Sequence, residues 1–216
     1  MKLNRTTHRY FAGVVCTIAL LTTTANAASD KIKEGKALYK QNCGVCHQDD
    51  AIGKPGFAPS LTNPELLSIA SDKFFLATIR DGRVGTGMPP FAHLGREKGQ
   101  AIVAYLRTFA KLEDRSARVA AQPEAHGDPR LGKQWYDYIC STCHGKSGDG
   151  YAAGGTGTAI GKPGFLSKVS DGFIRTTIKE GRSNTRMLGF SGSKGLANLA
   201  DSEIEDIIVY LRGLPK

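Results

Sequence analysis

Polar and apolar residues do not alternate over any sustained stretch of this 216-residue chain, so no segment carries the two-residue period of a half-buried strand. Apolar positions instead recur every three to four residues. The clearest case lies near the C-terminus, where Ile204, Ile207, Ile208 and Leu211 fall on one face of a predicted helix. Asp201 or Ser202 stands where a cap is expected, and Glu205 follows Ser202 by three residues, the spacing of a capping box. Two more helices are predicted to run from about residues 31 and 129 into cysteine-containing segments. Another pair covers the DxF…GR segments that begin at Asp72 and Asp171. Residues 113–128 mix charge, alanine, Pro123 and Gly127 without an apolar period and read as a connection. The expected fold class is all-α.

The N-terminus differs in kind. Lys2, Arg5 and Arg9 precede an apolar run from Tyr10 to Leu21, after which Thr22 to Thr24 lead into Ala25, Asn26 and Ala27. That is the order of a secretory signal peptide, residues 1–27, with the mature chain expected to begin near Ala28. About a dozen apolar residues fall short of the roughly 20 that a spanning helix needs, so no stable membrane insertion is expected after cleavage. The formal charge of +9 falls to +6 without residues 1–27. A modest basic excess with no aromatic-interleaved stripe argues against nucleic acid and suits an acidic or anionic protein partner. Of five cysteines, Cys16 sits in the signal, with Gly13 where a lipoprotein site favours leucine, and is expected to leave with it.

The rest of the chain is duplicated. Gly35 to His47, GKALYKQNCGVCH, matches Gly132 to His144, GKQWYDYICSTCH, at an offset of 97. DKFFLATIRDGR from Asp72 matches DGFIRTTIKEGR from Asp171 at an offset of 99, and Met88 and Met187 keep that offset. Both copies close in YLR, at Tyr105 and Tyr210. The hexapeptide IGKPGF, at Ile52 to Phe57 and at Ile160 to Phe165, is offset by 108. It implies 11 additional residues in the second copy, placed in the glycine-dense stretch 145–159 and read as a surface loop. Two domains are expected, 28–112 and 129–216, joined by 113–128.

The four remaining cysteines form two CxxCH motifs: Cys43, Cys46 and His47, then Cys140, Cys143 and His144. Cysteines three apart share one face of a helical turn and can both reach a flat porphyrin edge, with the next residue, histidine, held beneath the ring. This is the haem c attachment pattern, and two copies at equivalent positions predict two covalently attached haem c groups. A redox dithiol expects βαβ surroundings, and a structural zinc site expects a second nearby ligand pair; neither pattern is present. With Met1 lost, Met88 and Met187 are the only methionines, and their common repeat position predicts sulfur ligands opposite the histidines. Packing is the bland role for any single methionine. His93, five residues after Met88 and without a counterpart, and His126, in the connection, read as surface or packing residues.

These residues resemble the class I c-type cytochromes in tandem dihaem form, over nearly all of the chain after residue 27. The resemblance implies helical domains around each haem, in which an N-terminal helix crosses a C-terminal one through a glycine and aromatic contact. Gly35 and Tyr39 against Tyr105, and Gly132 and Tyr136 against Tyr210, match it. It also implies a proline carbonyl that accepts the imidazole N–H. Pro59, 12 residues after His47, fits, and Gly87, Met88 and Pro89 match the family's methionine loop. The second copy departs: Met187 has no following proline, and Ser167 aligns with Pro59 through the hexapeptide, leaving Pro163 as an alternative carbonyl. Lys54 and Lys162 either frame an exposed haem edge or are solvated lysines beside a tight turn.

The function implied is periplasmic electron transfer between redox protein partners, as a free carrier or as the carrier subunit of a respiratory complex, with no catalytic residues. The alternative is a dihaem enzyme, peroxidase-like or thiosulfate dehydrogenase-like, with a labile ligand at the second haem. No cysteine outside the attachment motifs remains as a thiolate ligand, so Met187 is where such lability would lie.

Overall fold

The computed structural model describes residues 27–214 apart from Lys194. The expected signal segment therefore lies outside the described residues, Ala27 excepted. Among those residues the only β-pairing is three isolated bridges. The first half comprises α1 (27–42), α2 (Gly44–His47), α3 (Pro64–Ile69), α4 (Asp72–Asp81) and α5 (Gly95–Arg107). α6 (Ser116–Ala120) follows. The second half comprises α7 (Pro129–Trp135), a π-helical turn (Tyr136–Cys140), α8 (Ser141–His144), α9 (Pro163–Leu166), α10 (Asp171–Glu180) and α11 (Asp201–Arg212).

Each half is closed by one helix crossing. A methyl group on Gly35 would stand 1.9 Å from the Ala101 carbonyl oxygen, and one on Gly132 would stand 1.9 Å from that of Asp206. Only glycine lets the two backbones approach this closely. Beside each glycine a buried tyrosine meets its partner on the closing helix. Tyr39 and Tyr105 have ring centroids 5.4 Å apart, and Tyr136 and Tyr210 5.3 Å apart, both pairs at 51°. Ile204, Ile207, Ile208 and Leu211 are all essentially inaccessible, as their spacing predicts. The cap of α11 differs from expectation: its Glu203 accepts the Ala200 N–H at 2.7 Å, while Glu205 pairs with Arg175. The helix starts two positions earlier than Ser202 capping requires, which moves the third turn position from Glu205 to Glu203.

α4 and α10 are built alike. Ser71 and Ser170 cap them by accepting the Phe74 and Phe173 N–H groups at 3.2 Å, and both end on left-handed glycines, Gly82 and Gly181.

The 113–128 connection is no free tether. Val119 is 3% exposed, and its carbonyl lies where a methyl on Gly172 would stand 2.0 Å away. Arg115 donates its N–H to the Ser68 carbonyl in the first half and pairs through its guanidinium with Glu180 in the second. Further along, the Ala125 and Asp128 N–H groups are held by the Asp171 and Asp206 carboxylates.

The halves also meet directly, and the residues in contact are repeat counterparts. Asn63 Nδ2 donates to the Ser183 carbonyl, and Glu65 accepts from the Ser183 N–H and hydroxyl at 3.0 Å. Shifting each residue by 99 gives Lys162, Gly164 and Val84. Gly164 does lie against Val84, and Lys162 against the neighbouring Gly85. A surface that contacts its own copy in this reciprocal way is the signature of a two-fold arrangement, here within one chain.

Candidate haem sites

In the first half α1 delivers Cys43 to the start of a single turn, α2, in which the His47 N–H returns to the Cys43 carbonyl at 2.9 Å. That turn places Cys46 and His47 beside each other at its end. Gln48 then takes a left-handed φ of 63°, reversing the chain, and its carbonyl is pinned by the Tyr39 hydroxyl at 2.9 Å. The second half repeats the arrangement with Gly145, φ 77°, and the Tyr136 hydroxyl at 2.7 Å. Glycine adopts that conformation freely whereas Gln48 does so at a cost. The helix leading into the second motif carries the π-helical turn over Tyr136–Cys140, which the sequence does not announce.

Burial pushes the Cys43 thiol up to about 11 and the Cys140 thiol up to about 12, with each neighbouring cysteine adding to the rise.

His47 is 8% exposed and its Nδ1 lies 2.9 Å from the Pro59 carbonyl oxygen. A carbonyl only accepts, so Nδ1 carries the hydrogen and Nε2 is left with its lone pair. Burial pulls both imidazoles below the ordinary histidine range, the hydrogen bond working the other way, so the rings are neutral and able to bind a metal.

At the second histidine the structure corrects the sequence alignment. His144 Nδ1 donates to the carbonyl of Thr158 at 2.7 Å, rather than to Pro163 or Ser167. Thr158 is 99 residues beyond Pro59, the same offset as α4 and both methionines, so the loop is only two residues longer than in the first half. The identical hexapeptides occupy different places. Ile52 to Phe57 form a turn, exposed apart from Gly53, before the accepting carbonyl, whereas Ile160 to Phe165 follow it and run into α9. A short identical string outweighed a diffuse structural repeat because a backbone carbonyl can come from any residue type. Gly157 is the residue the sequence left unmarked: a methyl group there would sit 2.7 Å from the His144 ring.

The methionine loops agree in detail. The Arg83 N–H donates to the Met88 carbonyl at 3.0 Å and the Arg182 N–H to the Met187 carbonyl at 2.6 Å. Thr86 and Thr185 hydroxyls accept the Met88 and Met187 N–H groups at 3.2 and 3.0 Å. Phe91 and Phe190 rejoin α4 and α10 through the Ile79 and Ile178 carbonyls, both at 2.9 Å. The missing proline after Met187 leaves this turn unaltered. Beyond it, the path from methionine to closing tyrosine is six residues longer in the second half.

His93 and His126 are both exposed. Lys162 pairs with Asp149 at the contact between halves, while Lys54 stays exposed, 5.9 Å from the centre of the Phe57 ring; the two lysines do not share a role.

Two family models match this chain: "Cytochrome C oxidase, cbb3-type, subunit III" over residues 30–106, and "Cytochrome c" over residues 130–215. The chain is a tandem c-type cytochrome. With one CxxCH motif in each domain, this c-type cytochrome carries two covalently bound haem c groups. It is 31% identical to the cbb3-type cytochrome c oxidase subunit CcoP of Rubrivivax gelatinosus over 59% of the chain, and 27% identical to that of Azospirillum brasilense over 83%. The chain spans 38% of the first relative's length and 61% of the second's. In fold it is similar to a chain of a Kuenenia stuttgartiensis reducing HAO-like protein complex, with a TM-score of 0.50 and 20% identity, covering 85% of this chain and 96% of that one.

Proposed function

We propose that this c-type cytochrome is a periplasmic electron carrier whose two irons are each gripped between a histidine and a methionine. His47 and Met88 serve the first half, and His144 and Met187 the second. The observation that carries the proposal is the occurrence, once in each half, of an Nδ1-anchored imidazole and an identically hydrogen-bonded methionine loop. Cys43, Cys46, Cys140 and Cys143 hold the porphyrins, and the carbonyls of Pro59 and Thr158 fix the two imidazoles. Bound haem iron supplies the one-electron change between ferrous and ferric states. What the chain adds is a coordination geometry that stays the same in both, because each ligand is tied to backbone that is itself hydrogen-bonded. Thioether sulfur favours the ferrous state relative to a second imidazole and so suits a high-potential carrier. The proposed units are 28–112 and 129–216, and residues 113–128, fastened to both, keep them in fixed relation.

A second reading, in which the protein is the carrier subunit of a respiratory oxidase, is supported by the extent of the similarity to the CcoP subunits. No helix among the described residues is long and apolar enough to cross a membrane.

Optical spectroscopy tests the ligand assignment. Two methionine-to-iron charge-transfer bands in the oxidised protein and no carbon monoxide binding in the reduced protein are expected. One such band, with carbon monoxide taken up at half the haems, would instead support a dihaem enzyme open at one iron.

A further inference from the structure

Domains joined by a connection move against each other unless a large apolar interface or a specific fastening holds them. At the ends of α4 and α10 the two halves present repeat-equivalent carboxylates, Asp81 and Glu180, 99 residues apart. Each is met by a cation from outside its own half. Asp81 spends both oxygens on its neighbour Arg80, at 2.6 and 2.9 Å, and Lys168 of the second half reaches it only at 3.8 Å. That contact is loose. Glu180 instead receives both terminal nitrogens of Arg115, at 2.8 and 2.7 Å, the parallel pair of bonds that fixes direction as well as distance.

Arg115 belongs to the connection, and its remaining bonds go to the first half. Its backbone N–H donates to the Ser68 carbonyl at 2.7 Å and its Nε to the Ser68 hydroxyl at 3.0 Å. Ser68, buried on α3, gives its own hydroxyl hydrogen to the Glu113 carbonyl at 2.6 Å, so one serine grips the chain on both sides of residue 114. The Asp114 carboxylate accepts the Ser116 N–H at 2.8 Å and starts α6, whose Val119 packs against α10 at Gly172. The second half does not repeat the device. Ser167, the counterpart of Ser68, turns its hydroxyl to the Pro163 carbonyl at 2.6 Å.

We propose that Arg115 is a positioning residue for electron exchange between the two haems: it clamps α3 of one half to the end of α10 in the other and so holds the two irons at a fixed separation. The inference rests on the two-haem carrier reading. In a half-reduced molecule one electron leaves the ferrous iron of one half and enters the ferric iron of the other, and no proton or group moves with it. Such transfer weakens exponentially with distance, so halves that rock open exchange more slowly on average. Without the clamp, the Phe74 and Phe173 stack and the contacts to Ser183 remain as a pivot. A guanidinium suits the task because two of its nitrogens meet a carboxylate while Nε is left for the serine.

The test uses the full-length two-haem protein, half reduced, with the exchange rate read by NMR from haem methyl signals that differ between ferric and ferrous states. Arg115→Met keeps the stem and the backbone N–H but loses the guanidinium. It is expected to slow the exchange about tenfold, the scale on which electron and group transfers answer to small displacements of their partners. The double variant Arg115→Met with Glu180→Gln removes one charge of each sign and is expected to slow it equally, which separates lost position from altered net charge. In that variant the spectra and midpoint potentials of both haems are expected to stay at parental values, so a change in the sites themselves does not account for the rate. Arg115→Lys, a point charge unable to hold Glu180 and Ser68 together, recovers only part of it. An exchange rate in the double variant within about twofold of the parent's, the scatter of independent sites, or a faster one, overturns the proposal. Should the Arg115 variants not accumulate, Glu180→Gln alone serves, since it leaves both bonds to Ser68 in place: a slowed exchange supports the clamp and an unchanged one overturns it. A parent protein with fewer than two haems, or with no exchange between them, overturns the carrier reading and the clamp together, whereas unchanged variants of an exchanging parent overturn the clamp alone.

Discussion

Phe74 stacks on Phe173, ring centroids 5.6 Å apart at 27°, and the two residues are counterparts exactly one repeat, 99 residues, apart. A residue that meets its own copy lies on the two-fold axis of the arrangement, so this stack marks where the two halves are related. Aromatic pairs of this kind contribute about 0.5–1.5 kcal/mol beyond the area they bury. Phe173→Ala also empties part of the second core, so Phe74→Ala, on a half-buried ring, is the cleaner probe. It is expected to cost about 2 kcal/mol and to split a single calorimetric unfolding transition into two. A single transition at the parental temperature would show that the stack does not couple the halves.

At the second histidine the accepting group is backbone, so the side chain of Thr158 is dispensable. Thr158→Ala is expected to leave stability within about 0.5 kcal/mol and the spectrum of the second haem unaltered. Gly157→Ala, by contrast, drives a methyl into the His144 ring, 2.7 Å away, and is expected to disturb the ligand field of that haem alone. Low-temperature electron paramagnetic resonance of the oxidised protein distinguishes the two. Equal effects of both substitutions would contradict the carbonyl assignment.

Removing a sulfur ligand should open one iron and spare the other. Met187→Ala is expected to abolish one charge-transfer band and to admit carbon monoxide at half the haems, and Met88→Ala to do the same at the first. The reduced-minus-carbon monoxide difference spectrum reads the occupancy directly. Spectra of Met187→Ala identical to the parent would remove Met187 from the coordination sphere.

Asp171 gives the second half an acid-sensitive fastening. Burial alone would raise its carboxyl, but the Ala125 N–H and the Arg212 guanidinium, both bonded to it, hold it below the ordinary value. A depressed carboxyl contributes stability that is present above its unfolded-state value, about 4, and is lost as pH falls through the lower folded value. Asp171→Asn is therefore expected to destabilise the protein at neutral pH and to flatten the acid limb of its stability curve below about pH 4. Denaturant unfolding at a series of pH values measures it, and an acid limb as steep as the parent's would exclude Asp171 as a contributor.

The sequence by itself determined the features that depend on residue type at a fixed local spacing: the two CxxCH motifs, the glycine and tyrosine pairs of the helix crossings, and the methionines in common register. Each is chemistry that only one or two side chains can perform. The tertiary structure decided what any residue can supply or what needs distant partners. The carbonyl that anchors His144 is backbone and leaves no mark on composition, so a six-residue identity pointed to the wrong register. The cap of α11 turned on where one helix begins, a difference of two residues from the Ser202 and Glu205 pair. The bond from Arg83 to the Ala159 carbonyl needs one half closed against the other, under a two-fold relation that no local pattern encodes.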